Sequence, residues 1–170
     1  TFAAATANAT VFNFVDLTQS PTGLGESAWS TLSLTDGGLT MNITGHATND
    51  TLVNGSTDNQ QFAYLDWGNA GLGVCKDVTA SDSSLTGNRQ NKCNGNNSDA
   101  GDDNVTVGEY LRFSFNKDVV ISQFWFNNHH DGDRQLNGND QITIGGTNYF
   151  ASTAYVGDSN SVGPFFVAAN

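Results

Sequence analysis

Leu32-Ser-Leu-Thr-Asp-Gly-Gly-Leu-Thr-Met-Asn-Ile-Thr44 is the stretch of sequence that decides the fold class. Leucine alternates with polar residues before the central Asp-Gly-Gly, and Leu39, Met41 and Ile43 alternate with threonine and asparagine after it. A period of two is typical of a strand with one face on a core and the other in water, and Asp-Gly-Gly favours a turn. The stretch therefore predicts an antiparallel β-hairpin.

Further stretches carry strand patterns of the same kind. They are Thr10–Leu17, Phe62–Trp67, Tyr110–Phe115, Val119–Asn127, Ile142–Ala154 with a Gly-Gly turn at 145–146, and Val162–Val167. Aspartate, asparagine, glycine, serine and threonine are abundant and helix formers are scarce, a composition that favours short strands joined by tight turns. We expect roughly eight to ten strands in one domain, residues 1–170, forming an antiparallel β-sandwich of jelly-roll type. Both faces of Val119–Asn127 carry apolar residues, which predicts a central strand.

The net charge of the chain limits the classes of partner that it can bind. Seventeen acidic residues and six basic ones give a formal net charge of −11. Such a charge repels nucleic acid and anionic lipid. No apolar run approaches the about 20 residues that cross a bilayer, so we expect neither nucleic-acid binding nor membrane insertion of the chain as given.

The two cysteines of the chain, Cys75 and Cys93, most simply form one disulfide. The bond would close a loop that costs the unfolded chain about 3 kcal/mol in entropy, and it predicts an extracellular or cell-surface location. Free thiols in a reducing cell fit the composition poorly, and the spacing does not match a zinc site. Residues 76–101 hold almost no apolar side chains, so we expect an exposed loop there.

An acidic turn ends this disulfide-loop region, which spans residues 75–109. Asp102, Asp103, Asn104 and Glu109 offer hard oxygen donors close together in the sequence, and Ca²⁺ prefers six to eight oxygen ligands. The turn predicts a structural calcium ion, with Asp66 and Asp77 as further contributors. Acidic turns also precede strands without any metal, and that alternative stays open.

A second dense polar group is His-His-Asp-Gly-Asp at 129–133. Adjacent side chains at a strand end point to opposite faces, so a hydrated turn is the favoured interpretation. The alternative is a metal-binding or sugar-binding edge with Trp125 or Tyr149 stacking on a pyranose ring. The candidate ligand-binding residues are then Trp125, His129, Asp131 and Asp133.

The N-terminal residues 1–9 allow several interpretations, one of which is a short leader that packs against its own chain. The segment is similar to the end of a secretory signal, with an Ala-x-Ala cleavage pattern at Ala7 and Ala9. Alternatively, it is an extended segment that a neighbouring subunit accepts as an added strand along an open sheet edge.

Paired carboxylates are the strongest argument for an enzyme. Glu26 and Glu109 are the only glutamates, and a glycosidase needs two carboxyl groups at a defined separation. Neither lies in a cluster of acidic strand residues, so we expect a protein without catalytic activity.

Two longer segments carry a family resemblance. Tyr64-Leu-Asp-Trp-Gly-Asn-Ala-Gly-Leu-Gly-Val-Cys75 and Asp102-Asp-Asn-Val-Thr-Val-Gly-Glu-Tyr-Leu111 resemble exported bacterial proteins of the PEP-CTERM group. The resemblance implies a surface or matrix protein with a β-sandwich fold and a C-terminal sorting tail. This sequence shows no Pro-Glu-Pro motif after Asn170, so either the tail has been removed or the relative is secreted without one.

The expected function is therefore that of an extracellular structural or adhesive protein that self-associates, with strand donation building a filament. The alternative is a calcium-dependent carbohydrate-binding module for an extracellular polysaccharide, with an exposed aromatic such as Trp29, Trp67 or Trp125.

Overall fold

The computed structural model describes residues 9–19, 24–47, 60–66, 71–75, 78, 93, 105, 108–122, 141–144, 147–150 and 165–169. These residues form α1 (Phe14–Gln19), β1 (Ser27–Trp29), β2 (Leu32–Asp36), β3 (Leu39–Ala47), β4 (Gln60–Asp66), β5 (Gly71–Cys75), β6 (Glu109–Phe115), β7 (Val119–Ile121), β8 (Gln141–Ile144), β9 (Thr147–Phe150) and β10 (Phe165–Val167). The strand pairings are antiparallel, which confirms the predicted all-β class. Over these ranges, no helix has the length and apolarity to cross a membrane.

Six strands form the main sheet. β3 pairs with β2 and β6, and β4 pairs with β1 and β5. The two groups join where β3 pairs with β4, at Gly45 opposite Gln61 and at His46 opposite Gln60. Two smaller sheets, β7 with β10 and β8 with β9, complete the described strands.

The predicted hairpin is confirmed as β2 and β3. Its ladder runs from Leu32 opposite Ile43 to Asp36 opposite Leu39, which leaves a two-residue turn. The two turn residues are Gly37 and Gly38, with φ angles of 55° and 77°. Positive φ at both positions is the type I′ geometry that matches the twist of the flanking strands, and glycine adopts it without strain.

The main core lies on one face of this sheet. Its buried members come from β2, β3, β4 and β6: Leu32, Leu34, Met41, Ile43, Ala63, Leu65 and Phe115. Partly buried side chains from α1 pack against the same cluster, and so do side chains of β7 and β10, including Val119, Ile121 and Val167. Both α1 and the β7–β10 pair therefore cover the core face of the sheet.

The predicted strand Thr10–Leu17 is wrong, because its second half is the helix α1. Asn13 caps that helix: its Oδ1 accepts hydrogen bonds from the backbone N–H of Val15 at 3.1 Å and of Asp16 at 3.3 Å. Its Nδ2 donates to the Asp16 carboxylate at 2.7 Å. The two bonds to Oδ1 satisfy helix N–H groups that would otherwise lack partners, the bond to Asp16 holds the capping side chain in place, and this capping overrides the alternating apolar pattern.

Two strands escaped the sequence patterns. β1 is only three residues long. β5 begins with Gly-Leu-Gly, and because glycine has no side chain, no alternation of apolar and polar residues is visible there. The predicted strand Val119–Asn127 is described only as β7, and residues 123–127 lie outside the described ranges. Within β7, Val120 is 65% exposed, so the described part has one face in solvent. The Gly-Gly hairpin is confirmed as β8 and β9.

Gly45 occupies the point where β3 and β4 meet. A Cβ atom at Gly45 would lie 2.5 Å from the carbonyl oxygen of Phe62 and 3.1 Å from the backbone nitrogen of Ala63. Those atoms belong to the β4 backbone, which cannot move without disturbing its pairings to β1 and β5. The close approach of the two strands therefore requires glycine.

We predict that Gly45→Ala lowers the free energy of unfolding by about 2–3 kcal/mol, because overpacking against backbone forces the two strands apart. The matched control is Gly37→Asn, where the space around the Cβ position is open and asparagine tolerates the left-handed conformation. Urea denaturation followed by tryptophan fluorescence measures both. An equal loss of unfolding free energy in the two variants would contradict the claim that the close approach of β3 and β4 requires glycine at position 45.

Candidate functional site

The face of the sheet opposite the main core is polar over β2, β3 and β6. In these strands the register places alternate side chains together on this face. We call this set the outer face: Ser33, Thr35, Thr40, Asn42, Thr44, His46, Tyr110, Arg112 and Ser114. Hydroxyl and amide groups dominate it.

Hydrogen bonds order the outer face. Ser33 Oγ donates to Asn42 Oδ1 at 2.6 Å, and the hydroxyl groups of Thr35 and Thr40 lie 3.0 Å apart. Asn116, which follows β6, accepts from the Thr40 backbone N–H at 2.8 Å through its side-chain oxygen. The side chains of neighbouring strands are thereby held in fixed relative positions.

An aromatic pair ends the outer face. The rings of His46 and Tyr110 stack at a centroid distance of 4.8 Å with an interplanar angle of 10°. His46 is only 3% exposed and shares a 2.8 Å hydrogen bond with the Thr44 hydroxyl, whereas Tyr110 is 37% exposed. Arg112 is exposed two residues further along the same strand. The ring of a buried histidine thus stacks against a tyrosine ring that is accessible to solvent.

The predicted disulfide between Cys75 and Cys93 is confirmed, with an S–S distance of 2.06 Å and a Cα–Cα distance of 5.8 Å. Cys75 ends β5 opposite Phe62 of β4, and a β-bridge joins Cys93 to Val78. The disulfide packs in a second cluster with the buried residues Ala28 and Tyr64. It anchors the two ends of the intervening segment to the β1–β4–β5 part of the sheet.

Tyr64 links this cluster to a carboxylate. Its hydroxyl donates to Glu26 Oε1 at 2.8 Å, and its side chain is 2% exposed. Burial raises the pKa of Tyr64 far above its usual value, and the hydrogen bond to Glu26 and the charges of Glu26 and Asp66 raise it further. A hydrogen bond from the backbone of Cys93 opposes these effects. One phenol therefore joins β4, the residue before β1 and the second cysteine.

The raised pKa predicts how stability depends on pH. The unfolded chain ionises a tyrosine near pH 10, whereas the folded chain keeps Tyr64 protonated well above that pH. The contribution of Tyr64 is therefore complete below about pH 10, and above it the free energy of unfolding falls by up to about 1.4 kcal/mol per pH unit. Urea titrations between pH 7 and pH 11 measure the slope.

Tyr64→Phe provides the comparison. The substitution should cost about 1–2 kcal/mol at pH 7, because it removes the hydrogen bond to Glu26, and it should flatten the alkaline decline. Tyr110→Phe should keep the decline, because Tyr64 is intact. A decline of equal slope in Tyr64→Phe would show that another group causes it.

Most sequence-predicted site residues lie outside the described ranges. These are Asp102, Asp103, Asn104, Trp125, His129, Asp131 and Asp133. Glu109, the remaining calcium candidate, begins β6 opposite Ala47 and is half-buried. Over the described ranges, no group of three or more His, Cys, Asp or Glu side chains is close enough to hold a metal ion.

One predicted binding residue needs a correction. Trp29 was expected as an exposed aromatic, but it lies on β1, is half-buried and packs against the main core. Tyr110 is instead the exposed aromatic of the sheet that the structure describes. The alternation of β6 contained the signal, since Tyr110 falls on the side opposite Leu111, Phe113 and Phe115.

Comparison of the chain with protein-family models, with curated proteins and with solved structures finds no match.

Proposed function

We propose that this chain is a non-enzymatic extracellular structural or adhesive protein with the body of a jelly-roll β-sandwich. The six-stranded sheet would be one layer, and the β7–β10 pair would belong to the second. The packing of Val119, Ile121 and Val167 against the main core supports this layering. The resemblance of Tyr64–Cys75 and Asp102–Leu111 to exported PEP-CTERM proteins agrees with a surface or matrix role.

The observation that carries the proposal is the disulfide. Cytosolic thiols are kept reduced, whereas disulfides persist in oxidising compartments such as the cell surface and the extracellular space. Cys75 is fully buried, and the bond joins the sheet to a segment 18 residues further along the chain. The pairing is therefore part of the folded core and supports an extracellular location.

Self-association by strand donation is the second part of the proposal. Val11, two residues after the N-terminal segment 1–9, is 71% exposed. An exposed β-branched side chain next to an uncharged segment is what a donated strand would bury in a neighbouring copy. If each copy donates its strand to the next copy, the contacts are head-to-tail. Head-to-tail contacts build an open filament, except where the rotation between copies closes them into a ring.

Electron microscopy and light scattering test this part directly. We expect the full chain to form filaments or larger oligomers, and a chain of residues 10–170 to remain monomeric with an unchanged melting temperature. The melting temperature is the control for folding. If the shortened chain assembled as well as the full one, donation of this segment would be wrong.

A second candidate is a calcium-dependent carbohydrate-binding module, and the Tyr110–His46 stack favours it. A sugar ring can pack against an exposed aromatic ring that is already held in place, because little side-chain entropy is then lost on binding. The ordered hydroxyl and amide groups of the outer face are suited to sugar hydroxyls. Calcium would be held by Asp102, Asp103, Asn104 and Glu109, with Trp125, His129, Asp131 and Asp133 as further ligand-binding residues.

Glycan-array binding with and without a chelator tests this candidate. We predict that Tyr110→Ala weakens binding about tenfold, equivalent to about 1.4 kcal/mol, whereas Tyr110→Phe retains the ring and keeps the affinity. The chelator should abolish binding. Binding that survives the chelator would contradict the calcium requirement, and equal binding by Tyr110→Ala would exclude the outer face.

A further inference from the structure

β2 is an open edge of the main sheet. It pairs with β3 along one side, and no strand among the described residues pairs with its other side. Ser33, Thr35 and Asp36 are exposed. Exposed sheet edges are templates for further strands, and proteins commonly block them with lysine, proline or bulges. β2 has the sequence Leu-Ser-Leu-Thr-Asp and carries neither lysine nor proline.

The hairpin geometry shows which backbone groups this edge presents. In a two-residue hairpin, the pair that closes the turn exchanges both backbone hydrogen bonds, and paired positions then alternate. Asp36 and Leu39 are the closing pair. The N–H and C=O groups of Thr35 and Ser33 therefore point away from β3, along the open edge.

The N-terminal segment has a pattern that matches this edge. In 3–11, the residues at odd-numbered positions are apolar, and the residues at even-numbered positions are mostly polar towards the end of the segment. The apolar set is Ala3, Ala5, Ala7, Ala9 and Val11, and the other set includes Thr6, Asn8 and Thr10. β2 likewise presents Leu32 and Leu34 to the core and Ser33 and Thr35 to the outer face. A strand formed by the segment would continue both faces of the sheet.

Length and charge agree with this match. The eight residues before Ala9 span about 26 Å when extended, whereas five-residue β2 spans about 17 Å. The segment 1–11 carries no charged side chain, so it adds nothing to the repulsion between copies of a chain with a net charge of −11. The segment precedes α1, which packs against β4 and β5, while β2 lies beyond β3 in the sheet. Thr10 and Val11 do not pair with any described strand of their own chain, and Val11 is 71% exposed, so we take a neighbouring copy as the acceptor.

We propose that the open edge of β2 accepts the N-terminal segment 1–11 of a second copy of this chain as an added strand. The inference rests on the proposed strand donation and identifies its acceptor. Ser33 and Thr35 supply the main-chain hydrogen bonds, and the alanine side of the donated segment lies beside Leu34 over the core.

Thr35→Pro tests the acceptor. Proline removes an N–H group that β3 does not use, so the isolated subunit should fold, but a donated strand would lose a hydrogen bond and meet the proline ring. Thr35→Ala is the matched control, because it removes the hydroxyl and retains the N–H group. We expect the full-length Thr35→Pro chain to lose filaments in electron micrographs, and Thr35→Ala to keep them.

A measurement without substitutions covers the case in which Thr35→Pro does not fold. A synthetic peptide of residues 1–11 is added to the 10–170 chain, and amide hydrogen exchange is followed by NMR. The amides of Ser33 and Thr35 should exchange rapidly without the peptide and slow by at least tenfold at saturation. A bound peptide that leaves both amides unprotected would overturn the assignment of β2.

The outcomes separate the two proposals. If residues 1–9 are dispensable for assembly, strand donation itself fails. If they are required but Thr35→Pro assembles normally and the two amides stay unprotected, donation stands and the acceptor is not β2.

Discussion

The close contact between β3 and β4 at Gly45 is the constraint on which the sheet depends. The first two residues of β4 pair with β3, and from Ala63 onwards the same side of β4 pairs with β1. The opposite side of β4 pairs with β5. The backbone of Phe62 and Ala63 occupies the space where a side chain at position 45 would lie. β4 thus connects the hairpin β2–β3 and β6 with β1 and with β5, the strand that carries Cys75 of the disulfide.

The two faces of the sheet follow from this connection. Alternation in β4 sends Ala63 and Leu65 to the main core and Tyr64 to the disulfide cluster. Burial of apolar side chains stabilises the first face. On the second face, the buried Tyr64 phenol is held by its hydrogen bond to Glu26. The β2–β3–β6 part of the second face remains polar and leaves the Tyr110 ring accessible to solvent, so the same strand arrangement that buries the core also forms the outer face.

Local sequence patterns predicted those parts of the fold that depend on neighbouring residues. The β2–β3 hairpin could be predicted because the alternation of apolar and polar residues and the turn sequence Asp36-Gly37-Gly38 both favour it. The helix α1 was missed because capping by Asn13 outweighs an alternating pattern of the kind that favours a strand. β5 was missed because its glycines contribute no periodic side chain, and its position is set by pairing with β4.

The site was less predictable for the same reason. The two cysteines alone predicted their disulfide, but Glu26 and Tyr64 are 38 residues apart and meet only after β1 pairs with β4. His46 and Tyr110 are brought together by the register of β3 with β6. If β4 is the shared element of the sheet, native-state hydrogen exchange in low urea should show the amides of 62–65 opening only with global unfolding. Exchange of these amides by local opening, while the β2–β3 hairpin stays protected, would contradict this account.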